Sequence, residues 1–345
     1  MDAEAVDYQR EYDNSGRVSN STELLNAYIT DAAAFRESIG ENADYDLTYG
    51  PNPRNKLDIF WPGEDRSCPI AMFIHGGYWQ RLDRSAFSHM ASGLTKSGIA
   101  VALPSYTLCP DISIDGIITE MRRACILLHQ TYGRDLTVIG HSAGGHLAAC
   151  MMATDWPSIH PELPEDLVAA GMGISGIYDL APLLHTTVND ALKLNTVSAK
   201  QSSPVFWLPD GYHRFEAWVG GDESSEFHRQ SHELSRKWSM LGTPTRYVSL
   251  PETNHFSVIH SLTDHSSEMV QTILELISNP LAEGTVPEAE EADIAANLQN
   301  FMFEPREKPK TENESTKPRK RSKPKAEVKV ESKRKTKAPR KPKSK

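Results

Sequence analysis

The segment Gly140-His141-Ser142-Ala143-Gly144 constrains this chain more than any other feature. It follows the apolar run 136–139 and precedes a helical pattern that continues to Met152. A glycine two residues away on each side lets a serine occupy a sharp strand-to-helix turn with its hydroxyl projecting. The N-terminus of the following helix also favours developing negative charge. The pattern therefore predicts that Ser142 is a nucleophile; an ordinary glycine-rich turn is the weaker interpretation.

A second motif lies upstream, at the end of an apolar strand over 69–74. It reads His75-Gly76-Gly77-Tyr78-Trp79. A glycine-rich loop after this strand is where a serine hydrolase places the donors that stabilise the reacting oxygen. We predict an oxyanion hole formed by the backbone N–H groups of Gly76, Gly77, Tyr78 and Ala143. His75 is expected to hold the loop by hydrogen bonding rather than to act as a base.

The base and the acid are expected late in the chain. A strand over 214–219 is followed by Gly220-Gly221-Asp222-Glu223, and a strand over 245–250 is followed by a loop that contains His255. This gives the chain order serine, acid, histidine. We predict that Asp222 orients His255 and that His255 takes the Ser142 proton. Glu223 is the competing acid, placed second because it lies one residue deeper in the loop.

Strand and helix patterns alternate along most of the chain. This alternation predicts a largely parallel sheet covered on both faces. The predicted strands are 44–48, 56–61, 69–74, 99–103, 135–140, 167–174, 214–219 and 245–250. The predicted helices are 84–97, 113–132, 143–153, 226–241 and 257–278. The fold class is α/β, an α/β-hydrolase fold with a central, mostly parallel, eight-stranded sheet.

The segment around 176–210 breaks the strand–helix rhythm. Such an insertion is often used as a cap over an active site. We predict an aromatic substrate pocket formed by residues of this segment and of the loop at 75–79: Tyr178, Phe206 and Trp207, with Tyr78 and Trp79. Packing of these rings in the protein core is the competing interpretation.

These motifs together resemble the kynurenine formamidase (arylformamidase) family, within the esterase and lipase group of α/β-hydrolases. The His-Gly-Gly-aromatic-Trp form at 75–79 is the more diagnostic element, and the likeness covers roughly 45–280. The resemblance implies hydrolysis of a small aromatic formamide, N-formyl-L-kynurenine, to L-kynurenine and formate in tryptophan degradation, without a cofactor. Carbamate and carboxyl esterases share the motifs, so a carboxylesterase acting on short acyl esters remains an alternative. A third hypothesis is a non-catalytic binding protein built on a hydrolase scaffold.

Composition predicts an enzyme of the cytoplasm. Residues 1–20 are polar and resemble no signal peptide, and no stretch is long and apolar enough for a membrane span. The four cysteines show no paired spacing, and free thiols are expected at Cys68, Cys109, Cys125 and Cys150. His228 and His232 lie four residues apart but lack an evident third ligand, so no metal site is predicted.

The domain organisation follows from composition. We predict an N-terminal helical or irregular segment over 1–43, a catalytic domain over 44–280, and an acidic linker with a short amphipathic helix over 281–305. Residues 306–345 hold 18 Lys/Arg and 5 Asp/Glu, a net charge of +13, which leaves −22 for the rest of a chain whose total is −9.

That basic composition predicts a disordered tail. Weak binding to nucleic acid or anionic surfaces is expected from it, with nuclear or nucleoid association as a consequence. Contact of the tail with its own acidic domain and a tail without a partner are the alternatives. A homodimer is also left open.

Overall fold

An eight-stranded sheet organises the computed structural model, which describes residues 6–209 and 213–281. The spatial order is β1-β2-β4-β3-β5-β6-β7-β8. Strand β2 pairs antiparallel with β1 and β4, and the other neighbours are parallel. The strands are β1 Ala43–Thr48, β2 Lys56–Phe60, β3 Ile70–Ile74, β4 Ala100–Pro104, β5 Leu136–His141, β6 Val168–Ile174, β7 Phe215–Gly220 and β8 Thr245–Leu250.

The burial of the strands explains why the sequence identifies them. Every residue of β3, β4, β5, β6 and β7 is buried, as expected for parallel strands covered on both faces. The edge strand β1 is polar and partly exposed. All eight predicted strands are present with ends within one residue of those expected, and the predicted mostly parallel sheet is confirmed.

Helices cover both faces of the sheet. One hydrophobic cluster holds residues of α5, α6 and α10, and a second, on the other face, holds residues of α3, α4 and α11. The α-helices are α1 Tyr8–Glu11, α2 Asn14–Arg17, α3 Ser21–Ile39, α4 Ser92–Lys96, α5 Ile114–Tyr132, α6 Ala143–Met152, α7 Trp156–Ile159, α8 Asn189–Leu192, α9 Thr196–Gln201, α10 Ser225–Met240 and α11 Glu268–Ser278. The 3₁₀ segments are Arg84–Ala91, Ala181–His185, Pro204–Phe206 and Val258–Thr263.

The N-terminal segment is tied to helix α10 and to the loop after β3 by buried polar contacts. The Tyr12 hydroxyl donates to Glu226 Oε2 at 2.9 Å and accepts from Gln230 Nε2 at 2.8 Å. The Tyr12 carbonyl accepts from the Tyr78 hydroxyl at 2.6 Å. These bonds join residues 6–18 to helix α10 and to the loop after β3, so this segment packs directly beside the loops that carry the predicted site.

Helix α3 is fixed to the sheet by a partly buried ion pair. Arg36 donates from Nη1 and from Nη2 to Asp58 Oδ2, each at 2.8 Å, and Nη1 also donates to Ser88 Oγ at 2.9 Å. Asp58 lies on β2 with its side chain 1% exposed, and Arg84 is its second cationic partner. The pair fixes the position of α3, which carries Tyr28 toward the carboxyl edge of the sheet.

Several predicted features fall outside the described residues. They are the acidic linker over 281–305, apart from residue 281, and the basic tail over 306–345. The polyanion-binding, homodimer and compartment predictions therefore stay predictions. Across 6–209 and 213–281, no helix is long and apolar enough to cross a membrane. The cysteines are free as expected, three of them buried and Cys68 half-buried.

We expect Arg36→Met to lower the free energy of unfolding by about 1.5–3 kcal/mol. The substitution removes charge-assisted hydrogen bonds to a buried carboxylate and leaves Arg84 as the remaining cationic partner of Asp58. Urea unfolding measures the change. Lys96→Met removes an exposed cation on α4 and should change the free energy by less than about 0.5 kcal/mol. Equal effects of the two variants would contradict the assigned role of Arg36.

Candidate active site

Ser142 stands on a strained turn between β5 and α6. Its φ of 57° and ψ of −118° lie where non-glycine residues are rare. A Cβ at residue 140 would overlap the Gly144 carbonyl, and one at residue 144 would overlap the Ile74 carbonyl. Both flanking glycines are therefore required by close backbone approach. The Ser142 N–H donates to the Ile174 carbonyl at 2.8 Å, which fixes the turn against β6.

The loop after β3 brings backbone N–H groups next to this serine. A Cβ at residue 76 would lie 2.9 Å from the Cβ of Ser142, so only glycine permits the approach. Gly77, Tyr78 and Trp79 have φ values of 116°, 51° and 56°. Within the described chain, the N–H groups of Gly76, Gly77, Tyr78 and Ala143 make no hydrogen bond to a protein acceptor. They can therefore stabilise an oxyanion at Ser142.

His75 has the structural position that the sequence predicts for it. Its Nδ1–H donates to the Gly76 carbonyl at 2.7 Å, and its ring stacks on Tyr106 with 4.4 Å between ring centroids. The Tyr106 hydroxyl donates to the His75 carbonyl at 3.0 Å. Burial lowers the pKa of His75 to about 4, so the ring is neutral near pH 7. A neutral, stacked imidazole fixes the glycine loop.

The carboxylate that contacts His255 belongs to Glu223. His255 Nδ1–H donates to Glu223 Oε2 at 2.7 Å, and both side chains are almost fully buried. Glu223 Oε1 accepts from the Gly220 N–H at 2.7 Å and from the Ser175 hydroxyl. Each oxygen of this carboxylate thus has a partner, and one of them fixes the His255 ring, leaving Nε2 as the nitrogen that can serve as a base.

The assignment of Asp222 as the partner of His255 is therefore corrected. The Asp222 side chain is exposed, and its backbone N–H donates to the Thr253 carbonyl at 2.9 Å. The Glu223 N–H returns to the Gly220 carbonyl at 3.1 Å. This turn after β7 directs residue 223 back over the strand end, and the longer glutamate side chain then reaches the ring.

The His255 loop is held from two directions. His141 Nε2–H donates to the His255 carbonyl at 2.8 Å, with the two ring centroids 4.8 Å apart. The Tyr28 hydroxyl of α3 donates to the Phe256 carbonyl. Burial lowers the pKa of His141 well below its ordinary value, so this ring is a neutral donor. No local sequence pattern predicts a role for His141 or Tyr28, because both contacts join distant parts of the chain.

Ser142 and His255 line one pocket with a volume of about 180 Å³. No hydrogen bond joins the Ser142 hydroxyl to the His255 ring in the described residues, as is common before a substrate tightens such a pair. The apolar walls come from α3, from the loop after Trp79 and from the His255 loop: Leu25, Tyr28, Leu82, Phe87 and Phe256. A cavity of about 150 Å³ accepts benzene, so this one has room for a single ring.

The predicted aromatic pocket is largely wrong. Of its five residues, only Tyr78 lines the Ser142 pocket. Trp79 is fully buried against His146, and Tyr178 is fully buried beside Phe215.

Phe206 and Trp207 lie in the segment 176–210, which the sequence predicts as a cap. Phe206 contacts Lys237 of α10, and Trp207 Nε1–H donates to the Gln201 carbonyl at 2.9 Å. None of the described residues of 176–209 lines the Ser142 pocket, whereas Thr187 and Val188 of this segment line an adjoining pocket of about 340 Å³. Asn14, Leu25 and Tyr28 of the N-terminal segment line the Ser142 pocket instead.

The described residues contain no cluster of three potential metal ligands. His228 and His232 instead contact Tyr247, the first by a hydrogen bond of 2.8 Å and the second by a ring contact. Their spacing on α10 thus serves packing against β8.

Known proteins are similar to this chain over about two thirds of its length. The kynurenine formamidase of Danio rerio is 31% identical over 242 residues, which cover 67% of this chain and 81% of the relative. The kynurenine formamidase of Drosophila melanogaster is 26% identical and covers 68% of this chain and 81% of the relative. A family model described as BD-FAE matches residues 57–204.

Solved structures show the same fold. A crystal structure from Silicibacter sp. TM1040, provisionally assigned as a thioesterase, is 33% identical with a TM-score of 0.71, and the match covers 78% of this chain and 100% of that one. An esterase of Pyrobaculum calidifontis, 15% identical, has a TM-score of 0.59 and covers 76% of this chain and 94% of its own. The α/β-hydrolase fold expected from the sequence is confirmed.

Glu223→Gln should lower kcat for p-nitrophenyl acetate by about 10²–10⁴-fold. The amide keeps the size of the side chain but cannot hold the imidazolium that forms when His255 takes the Ser142 proton. Asp222→Asn is the matched control and should change kcat by less than about threefold, because its side chain points to solvent. The opposite ranking would restore Asp222 as the acid.

Stability should fall as the pH drops below about 6.5. Burial lowers the pKa of His75 and of His146 to about 4, so the unfolded chain binds protons between these values and the folded chain does not. Their contribution is complete above pH 6.5, and each histidine should remove about 1.4 kcal/mol at pH 5.5. Urea midpoints at pH 7.5 and 5.5 measure this change. His146→Gln should show a smaller pH dependence than wild type.

Proposed function

The chain belongs to the kynurenine formamidase family, and on this basis we propose that it hydrolyses N-formyl-L-kynurenine to L-kynurenine and formate. One observation supports this activity most directly. Ser142 and the His255–Glu223 pair lie beside an apolar pocket of about 180 Å³. An aryl formamide suits such a site, because the formyl group is very small and the pocket has room for one ring.

In the first half of the proposed reaction Ser142 forms an ester with the formyl group. Its Oγ attacks the formyl carbon while His255 Nε2 takes the hydroxyl proton. Glu223 stabilises the resulting imidazolium through the hydrogen bond to Nδ1. The carbonyl oxygen becomes an oxyanion, which the N–H groups of Gly76, Gly77, Tyr78 and Ala143 are placed to receive.

The intermediate then collapses with loss of the arylamine. His255 gives its proton to the departing nitrogen, the C–N bond breaks, and L-kynurenine leaves formyl-Ser142. A water molecule loses a proton to His255 Nε2 and attacks the formyl carbon. The second tetrahedral intermediate releases formate as His255 returns the proton to Ser142 Oγ.

A carboxylesterase acting on short acyl esters is the second candidate. The same nucleophile, base and oxyanion donors cleave esters, which have better leaving groups than amides. The comparisons favour it to a lesser degree: an isoprenylcysteine methylesterase of Arabidopsis thaliana is 28% identical but covers only 40% of this chain and 35% of its own. Weak ester hydrolysis is expected of either enzyme, so it does not separate them.

We expect purified protein to consume N-formyl-L-kynurenine, measured as loss of its absorbance, with a kcat/KM well above that for p-nitrophenyl acetate or butyrate. Specificity is a ratio of such constants, so both substrate classes are measured on one preparation. Ser142→Ala is the control and should reduce both activities by at least about 10³-fold. Formamide turnover equal to that of Ser142→Ala would refute the proposal, and a ratio favouring esters would support the second candidate.

A further inference from the structure

We propose that Arg81 and Asp13 form a subsite that binds the zwitterionic amino-acid end of the substrate. The inference rests on the proposed function, since it concerns the same site. N-Formyl-L-kynurenine carries a carboxylate and an ammonium group on the side chain of its ring. The lining of the Ser142 pocket contains no carboxylate that could bind the ammonium group. The zwitterionic end of the substrate therefore requires a polar subsite outside this pocket.

A second pocket of about 340 Å³ adjoins the Ser142 pocket. The two share Asn14, Tyr78 and Arg81 in their walls. The further pocket also contains Asp13 and Gln80 and is more open to solvent. A ligand whose formyl group lies at Ser142 can therefore extend past Tyr78 into a polar space.

Tyr78 forms a rigid boundary between the two pockets. Its hydroxyl donates to the Tyr12 carbonyl at 2.6 Å and accepts from Asn14 Nδ2 at 3.3 Å. The side chain is buried, so the partition moves little when a ligand binds. The aryl ring stays on the Ser142 side of this boundary, and the amino-acid side chain passes over it.

The charges in the polar subsite match those of an amino acid. Arg81 is exposed and makes no ion pair with a carboxylate in the described residues. Its guanidinium can receive a carboxylate through two parallel N–H donors. Asp13 uses Oδ1 to accept from the Gly16 N–H at 2.9 Å, which leaves Oδ2 for an ammonium group. The subsite thus offers one cation and one anion next to a ring-sized pocket.

A pair of substrates separates this role from general damage to the loop. N-Formyl-L-kynurenine and 2′-formamidoacetophenone share the formamide, the ring and the ketone, but only the first carries the amino-acid end. Arg81→Gln should lower kcat/KM for formylkynurenine by about 10- to 100-fold, chiefly through KM, as loss of a charge-assisted hydrogen bond predicts. The same variant should change kcat/KM for 2′-formamidoacetophenone by less than about twofold.

Two further variants complete the design. Asp13→Asn keeps the cap on Gly16 and removes only the charge, and it should lower kcat/KM for formylkynurenine by about 3- to 10-fold. Arg123→Gln removes an exposed arginine on α5, away from both pockets, and should match wild type on both substrates. An Arg81→Gln variant that matches wild type on formylkynurenine would overturn the proposal, and so would equal losses on the two formamides.

Failure of the proposed function gives a different result. If wild type hydrolyses neither formamide, the reaction assignment fails, and calorimetry with L-kynurenine and 2′-aminoacetophenone then tests the subsite alone. Arg81→Gln should weaken binding of L-kynurenine about tenfold or more and leave 2′-aminoacetophenone unchanged. Wild-type protein that does not bind L-kynurenine more tightly than 2′-aminoacetophenone would overturn the subsite as well.

Discussion

The left-handed backbone conformation of Ser142 is the constraint on which the rest of the site depends. A φ of 57° is unfavourable for serine by about 1–2 kcal/mol, and it persists because β5 and α6 are both held by the core. The turn packs so closely that residues 76, 140 and 144 have no space for a side chain. The same close approach brings the N–H groups of the glycine loop beside Ser142, so the strained turn and the proposed oxyanion hole are one structural unit.

Two buried neutral histidines fix the position of this unit and of the His255 loop. His75 holds the glycine loop through the Gly76 carbonyl, and His141 holds the His255 carbonyl. A neutral imidazole can donate each of these hydrogen bonds, and burial lowers the pKa of both rings, which disfavours their charged form. At His255 the Nδ1–H group instead donates to the buried Glu223 carboxylate, which is the acid of the proposed triad.

Local patterns were sufficient for the fold and for the strand-to-helix turn that carries Ser142, whereas the rest depends on contacts between distant residues. Buried parallel strands read as continuous apolar runs, so the strand ends and the position of Ser142 followed from the sequence. The choice between Asp222 and Glu223 depends on the turn after β7, which adjacent residue types do not determine. The pocket walls depend on how residues 6–39 fold back over the site. No hydrophobic periodicity in that segment predicts which part of the sheet it packs against. Aromatic residues at 178, 206 and 207 were misleading because large rings more often fill cores.

The N-terminal segment also explains why the motifs alone leave the substrate undecided. The matched family model spans 57–204, which includes the oxyanion loop and Ser142 but excludes Leu25 and Tyr28 in the pocket wall. It also excludes Glu223 and His255. Part of the pocket wall is thus separate in sequence from Ser142 and the glycine loop. Tyr12 joins the two, because it bonds to Glu226 on α10 and to Tyr78 in the oxyanion loop. The way the N-terminal segment folds back is therefore coupled to the position of the glycine loop beside Ser142.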